Sequence, residues 1–403
     1  MNLNGYELPV DWTLSTLGEA CKMYQPTTIS KKRLNLDGDY PVYGANGVIG
    51  RHDQYNHEEP QLLVTCRGAT CGSVNISDPF SWINGNAMVI QPINESISLR
   101  FLEYMFRGFI DFNSIVTGAA QPQITRSSLN PVVIPIPPLP TQCAIVARLD
   151  AAFARIDRAR ANLERNVANA KELFQAKLNE VFSRRGDGWE EKPLKKLTSK
   201  IGSGATPRGG KTAYKESGIS LIRSLNVYDS GFTAKKLAFI DEEQGEKLNN
   251  VIVEKDDVLI NITGASVARC CIAPNEYLPA RVNQHVSIIR VKDDALLSDF
   301  LHFGLISKRY KKELLSIGDQ GATRQAITKK QLQNFYFAYP IDISIQKDII
   351  ESINLVKHEV DGLTSKYQTQ IQSLTGLKQS FLQKAFRGEL IAEAEPETVA
   401  DHA

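Results

Sequence analysis

The sequence predicts an α+β protein: two α/β globular domains at opposite ends of a long antiparallel two-helix coiled coil, related by a pseudo-twofold internal repeat. Three observations lead there. The chain has 403 residues, too many for one ordinary core and enough for two. Its halves repeat each other segment by segment. Each half ends in a long apolar stripe at helical spacing.

The repeat starts near the N-terminus. Trp12-x-Leu14-x-x-Leu17 opens the first half and Trp189, with Leu194-x-x-Leu197, the second, and both read as the first strand of a domain. Leu62-Leu63-Val64-Thr65-Cys66-Arg67-Gly68-Ala69-Thr70 matches Val258-Leu259-Ile260-Asn261-Ile262-Thr263-Gly264-Ala265-Ser266. A β-branched run that breaks at Gly-Ala is a strand entering a tight turn. Asn84 through Ile90 then pairs with Val282 through Ile288, polar residues leading into a strand, and Phe101-Leu102 and Phe300-Leu301 each start a short helical segment. Ala120-Gln121-Pro122-Gln123-Ile124-Thr125 matches Thr323-Arg324-Gln325-Ala326-Ile327-Thr328, followed by Leu129 or Leu332 and a strand ending at Pro137 or Pro340.

A helix follows each proline. Steps of four and three pick out Ile145, Leu149, Ala152, Ile156, Ala159, Leu163, Asn166, Ala170 and Leu173. The constant shift that carries Ile145 to Ile349 gives Ile349, Ile353, Val356, Val360, Leu363, Tyr367, Gln370, Leu374 and Leu377. This is a heptad-type seam in both copies, with the one amide at the same place. An amphipathic helix packed on its own domain is the plainer reading, but matched seams of this length most simply pack on each other. Direction follows from connectivity. The first helix ends where the second domain begins, and that domain's last strand leads into the second helix, so the two run antiparallel. The resulting segments are 1–140 and 186–340 for the domains, 141–185 and 341–391 for the helices, and 392–403 for an acidic, disordered tail.

Composition narrows the class. The hydrophobic 42% and charged 23% are ordinary for a globular protein, which excludes wholesale disorder and fibrous repeats. No basic n-region with an apolar run opens the chain and no stretch approaches the length of a membrane span, so a cytoplasmic location without membrane contact is expected. The six cysteines form no CxxC pair and read as reduced thiols, so neither disulfides nor zinc should matter. The net charge of +2 hides an uneven distribution: residues 1–139 lean acidic, 140–185 basic, and the tail has acids but no base. Nucleic-acid binding depends on a clustered basic face rather than a total, so charge permits it without demanding it.

Several segments invite an enzymatic reading and fail it. Gly204 through Thr212 resembles a phosphate-binding P-loop, but the spacing back from Lys211 requires glycine at 205, where alanine stands. Glu190-Glu191-Lys192 has the E-x-K spacing of a metal-dependent nuclease without an upstream Pro-Asp pair. Asp78-Pro79-Phe80 lacks the second proline of an amino-methyltransferase loop. No His/Cys/carboxylate cluster has metal-ligand spacing, and there is no Gly-x-Ser-x-Gly elbow.

The arrangement resembles one family, the specificity (S) subunits of type I restriction-modification enzymes, over almost the whole chain. Carrying the resemblance are Gly204-Ala205-Thr206-Pro207 with Ile222-Arg223-Ser224-Leu225-Asn226-Val227, Gly118 through Ile124, the run Val133 through Gln142, and Leu382 through Leu390. The family's usual Glu-Gln after the proline run is Thr141-Gln142 here, and the second copy reads Tyr339-Pro340-Ile341-Asp342-Ile343-Ser344-Ile345-Gln346, which touches only the helix starts. The resemblance implies a non-catalytic subunit that binds double-stranded DNA with a bipartite site. Each target recognition domain would read one half, and the helices would set the spacing and dock two methyltransferase (M) subunits. Whether restriction (R) subunits join is left open. No cofactor is expected on this chain; S-adenosylmethionine, ATP and Mg2+ are implied for the partner subunits. Two other readings stand beside this one: the specificity part of a bifunctional restriction-methylation enzyme, and a non-catalytic coiled-coil adaptor.

Phosphate contacts need Lys, Arg or small hydroxyls on loops, and base reading needs Arg, Asn, Gln, Ser or Thr reaching a groove. The candidates in the first domain are Lys31, Lys32, Arg33, Arg51, Thr65, Arg67, Thr70, Gln121, Gln123 and Arg126. In the second they are Thr206, Arg208, Lys211, Arg223, Asn226, Thr263, Ser266, Arg269, Arg324 and Gln325. A solvated surface role is the plain alternative for each, and about half should be silent. Arg67 and Arg269, which flank the Gly-Ala turns, rank above isolated lysines.

Overall fold

A computed structural model describes residues 2–3, 5–35, 37–118, 122–184, 186–207, 209–319 and 325–392. The chain forms two compact units, one made of Met1–Glu164 with the chain from Thr369 onward, the other of Arg165–Gln368. The long helices are therefore shared between the units instead of standing as separate segments.

In unit 1, Leu62–Thr65 is buried along its whole length, as a continuous apolar run predicts for a central strand. It lies between Val74–Ile76 and Ala87–Pro92, with Cys21–Tyr24 beyond the latter, all antiparallel. A three-stranded sheet holds Gly47–His52, Tyr40–Gly44 and Trp82–Ile83. The opening strand Thr13–Thr16 pairs with the closing strand Val133–Ile136. At Leu17 the opening strand gives way to a single helical turn, Leu17–Ala20, because Thr16 and Glu19 form a capping box. The Thr16 N–H donates to the Glu19 carboxylate at 3.0 Å and the Glu19 N–H to the Thr16 hydroxyl at 3.3 Å. Helix Leu99–Gly108 contributes Phe101, Leu102, Met105 and Phe106 to the core.

Unit 2 has the same strand order: Thr198–Ser203, Val286–Val291, Val258–Asn261 and Cys270–Ile272, again antiparallel. Its second sheet has four strands, Ala238–Ile240, Ile219–Ile222, Ala280–Val282 and Ile252–Val253. Opening strand Trp189–Pro193 pairs with closing strand Tyr336–Pro340. Strand register corrects one detail of the sequence match. Ala87 lies opposite Thr65 and Val286 opposite Asn261, so Asn84 corresponds to Asn283 and not to Val282.

The first long helix spans Leu139–Ser183 and the second Ile343–Phe386. Within unit 1 they touch in opposite sense. Asp157 receives Lys378 at 2.5 Å, Lys378 lies over the Phe153 ring at 5.1 Å, and Arg148 donates to the carbonyl of Leu390, which lies just past the end of the second helix. Each helix ends in an aromatic pocket. Phe386 packs against Phe101 at 5.3 Å and Phe109 at 5.6 Å in unit 1, and Phe182 against Phe300 at 5.2 Å in unit 2.

The heptad seam needs correction along its length. Ile145, Leu149, Ile156, Ile353 and Val360 are buried, and Leu163, Ile349 and Leu374 half-buried. Leu173, Leu363 and Leu377 are instead exposed at 56%, 40% and 43%, as are Asn166 and Gln370. The half-buried neighbours are Val167, Phe174, Thr364, Ile371 and Lys378. An α-helix has 3.6 residues per turn, so a strict seven-residue stripe drifts about 20° per heptad and the next residue along takes the inward place.

Candidate nucleic-acid interface

The strand-to-loop junction after the central strand organises each unit's candidate surface. In unit 1 the chain leaves Thr65 through Gly68, which sits at φ +90 where glycine is strongly favoured. The segment ahead of Thr125 is laced onto this turn. The Ile124 N–H donates to the Cys66 carbonyl at 2.9 Å, the Gly68 N–H to the Pro122 carbonyl at 3.3 Å, and Arg67 and Gln123 form a β-bridge. Thr117 and Gln123 exchange two backbone bonds of 2.9 Å. Arg67 and Thr70 are exposed here and Gln123 is half-buried; Arg126, also exposed, opens a short helix capped by Thr125. Lys32 and Arg33 are exposed on a separate one-turn helix, Lys31–Arg33.

Unit 2 repeats the lacing. The Ile327 N–H donates to the Ile262 carbonyl at 2.8 Å, the Gly264 N–H to the Gln325 carbonyl at 2.9 Å, and Thr263 bridges Ala326. Thr263, Ser266 and Gln325 thus share one edge, with Gln325 donating to Asp319 at 2.6 Å. The Arg269 guanidinium stacks 5.0 Å over the Tyr228 ring, which orients it without consuming its donors. A polar chain ties Thr206 to the same edge. Its hydroxyl donates to Gln284, whose amide nitrogen lies 3.1 Å from Nε2 of His285, and His285 Nδ1 lies 2.5 Å from the Thr263 hydroxyl.

Two candidates are buried inside the protein and two more are held by its backbone carbonyls. Thr65 is fully buried, its hydroxyl donating to the Ala45 carbonyl. Asn226 is fully buried as well, accepting the Arg223 N–H at 3.1 Å and donating to the Thr233 carbonyl at 2.9 Å. Both are loop fasteners, because a buried polar group must find its partner in the fold. Arg51 donates to the Gly38 and Asp39 carbonyls, each at 2.5 Å, and Arg223 to the Lys236 carbonyl while lying 5.1 Å over Tyr214. Gln121, Arg208 and Arg324, and the side chains of Lys31 and Lys211, lie outside the described residues. Gln284 and His285 were missed in the sequence, where only their place in the polar lead-in to a strand marked them.

The segments with an enzymatic flavour make structural contacts of their own. A Cβ at Gly204 would stand 1.8 Å from the Val282 carbonyl oxygen, so the backbone at this residue is pressed onto a strand. Asp78 accepts the Tyr43 hydroxyl at 3.0 Å, and Glu190 pairs with Lys192. Burial pushes the Cys21 and Cys271 thiols up to about 12, which keeps both protonated at neutral pH. Among the described residues no group of His, Cys, Asp and Glu could hold a metal, and no helix is long and apolar enough to cross a membrane.

Two α/β units that each gather polar side chains on a loop edge define a modular binding protein. The model of the type I restriction modification DNA specificity domain matches residues 9–165 and again 186–372, and the chain belongs to that family. Relatives include the type I restriction enzyme EcoBI specificity subunit of Escherichia coli, 24% identical over 358 residues that cover 82% of this chain and 74% of that protein. The type I restriction enzyme MjaVIII specificity subunit of Methanocaldococcus jannaschii is 20% identical, covering 77% and 78%. Two solved structures share the fold. A chain from a type I restriction-modification system has a TM-score of 0.74 at 21% identity, covering 96% of this chain and 100% of that one. The HsdS subunit of Thermoanaerobacter tengcongensis has a TM-score of 0.53 at 22% identity, covering 96% and 99%. The chain is an HsdS-like specificity subunit, a non-catalytic component.

Proposed function

We propose that this chain selects the DNA target of a type I restriction-modification complex, each unit reading one half of a bipartite double-stranded site. The observation that carries the reading is the lacing found twice: Ile124 to Cys66 with Gly68 to Pro122, and Ile327 to Ile262 with Gly264 to Gln325. Each lacing fixes a loop edge from which Arg, Thr, Ser and Gln side chains reach out, the residue types that touch phosphates and base edges. The two long helices form an antiparallel coil that sets the gap between half-sites and docks two methyltransferase subunits. The opposed contacts Asp157–Lys378 and Arg148–Leu390 support that direction. S-adenosylmethionine, ATP and Mg2+ act in the partner subunits.

A domain exchange tests this. Residues 190–340 are replaced by the matching domain of a relative, while Phe182 and Gln346, which reach into this unit from the flanking helices, are kept, and the host genome is read by single-molecule methylation sequencing. One half of the methylated motif should change and the other persist. A motif that changes in both halves, or in neither, would reject independent readers.

A further inference from the structure

Gln284 stands exposed at the loop edge of unit 2 with both ends of its amide held. The Thr206 hydroxyl donates to one end; the other lies 3.1 Å from the His285 ring, which is in turn held by Thr263 at 2.5 Å. The His285 backbone is pinned too, its N–H donating to the Asn283 side chain at 3.0 Å and its carbonyl accepting the Ile262 N–H at 2.9 Å. A side chain locked in this way has little freedom left to lose on binding.

The amide retains unused capacity. Its nitrogen carries two N–H donors and its oxygen two lone pairs, and the contacts to Thr206 and His285 use one of each. One donor and one acceptor remain, whichever way round the amide is set. In the major groove guanine offers two acceptors, cytosine one donor, and thymine one acceptor beside a methyl group. Adenine alone offers an acceptor beside a donor, N7 and N6–H, which matches what Gln284 has left.

The equivalent position in unit 1 is Gly85, given the register that equates Asn84 with Asn283. A Cβ there would lie 2.4 Å from the Pro26 carbonyl oxygen and 2.7 Å from Thr28 Oγ1. The same frame thus presents a locked amide in one unit and bare backbone in the other. Two readers of different half-sites need such a difference.

Resting on the specificity reading above, we propose that Gln284 is a base-reading residue of unit 2 and that it reads an adenine through the major-groove edge, with Thr206 and His285 as positioning residues. The test is single-molecule methylation sequencing of the host genome carrying the wild-type gene, Gln284→Ala or Gln284→Glu. Glutamate keeps the length and the acceptor but cannot donate, so it retains the shape of the side chain while breaking the match. In both variants one A·T pair of one half-site should lose about tenfold or more of its preference, the other half holding. An unchanged motif in both variants, an even weakening across both half-sites, or relaxation at a G·C pair would overturn the proposal. A wild-type gene that yields no motif would overturn the specificity reading itself, and this assignment with it.

Discussion

The side-chain oxygen of Gln346 accepts the Leu297 backbone N–H at 2.9 Å, fastening the start of the second long helix to the loop ahead of helix Ser298–Ile306. Its nitrogen donates to the Ala295 carbonyl at 3.1 Å and the Pro340 carbonyl at 2.8 Å. Gln142 does the same in unit 1, accepting the Ser98 N–H at 2.8 Å and donating to Ser96 and Pro137. Both amides are fully buried. Gln346→Leu keeps most of the volume but strands one N–H and two carbonyls away from water, which should cost at least about 2 kcal/mol. Denaturant titration of the purified chain would show it; an unshifted midpoint would mean that water replaces the lost partners.

Thr65 provides the matching test of a corrected assignment. Thr65→Val removes the donor to the Ala45 carbonyl while nearly preserving shape, and should destabilise the chain by about 1–2 kcal/mol without altering the methylated motif. A changed motif at unchanged stability would return Thr65 to the DNA surface.

His302 makes stability depend on pH. It is buried in helix Ser298–Ile306, its Nε2 has no hydrogen-bond partner among the described residues, and burial lowers its pKa to about 4. The hydrogen bond with the Cys270 backbone and the Asp229 carboxylate act to raise it, while Lys311 and Lys357 lower it further. The unfolded chain takes up the proton near pH 6.5 and the folded chain only near 4. The contribution is therefore complete above 6.5 and lost as pH falls towards 4, about 3 kcal/mol in all. Comparing wild type with His302→Leu from pH 7.5 to 4.5 should show the variant losing less stability on acidification. Parallel curves would show that His302 titrates in the fold as it does in the unfolded chain.

Arg67 is exposed and tied through its backbone to Gln123. If it contacts phosphate, as its place on the laced turn suggests under the proposed function, Arg67→Ala weakens binding uniformly across sequences and lowers the salt slope by about one. Binding isotherms at several salt concentrations measure both. A selective loss at one base pair would make Arg67 a base reader instead.

These cases show what the residues could and could not disclose. Leu62–Thr65 and Val258–Asn261 were legible as central strands because burial on both faces leaves an uninterrupted apolar run, and the tandem domains because that run recurs with its Gly-Ala turn. The proline-to-helix junctions were legible too, but the work of Gln142 and Gln346 was not, since it depends on carbonyls some fifty residues away in the chain. A hydroxyl such as that of Thr65 looks the same in sequence whether it faces a phosphate or Ala45. Gln284 escaped notice for the converse reason: its value lies in Thr206, 78 residues distant, which holds it in place. The inward stripe of the helices was misphased because a heptad and a helical turn diverge only after several repeats, where Val167 and Phe174 displace Asn166 and Leu173.

The seating of Phe386 beside Phe101 has a consequence for biogenesis. Unit 2 is one continuous stretch, Arg165–Gln368, so all of it is synthesised before Phe386 is added. Unit 1 begins first yet finishes last, because its aromatic pocket waits for a residue made after the whole of unit 2. Domains generally complete in the order they are made; here translation inverts that order. A premature stop codon just upstream of residue 386 would spare the second unit and leave the first, although fully synthesised, with an open core.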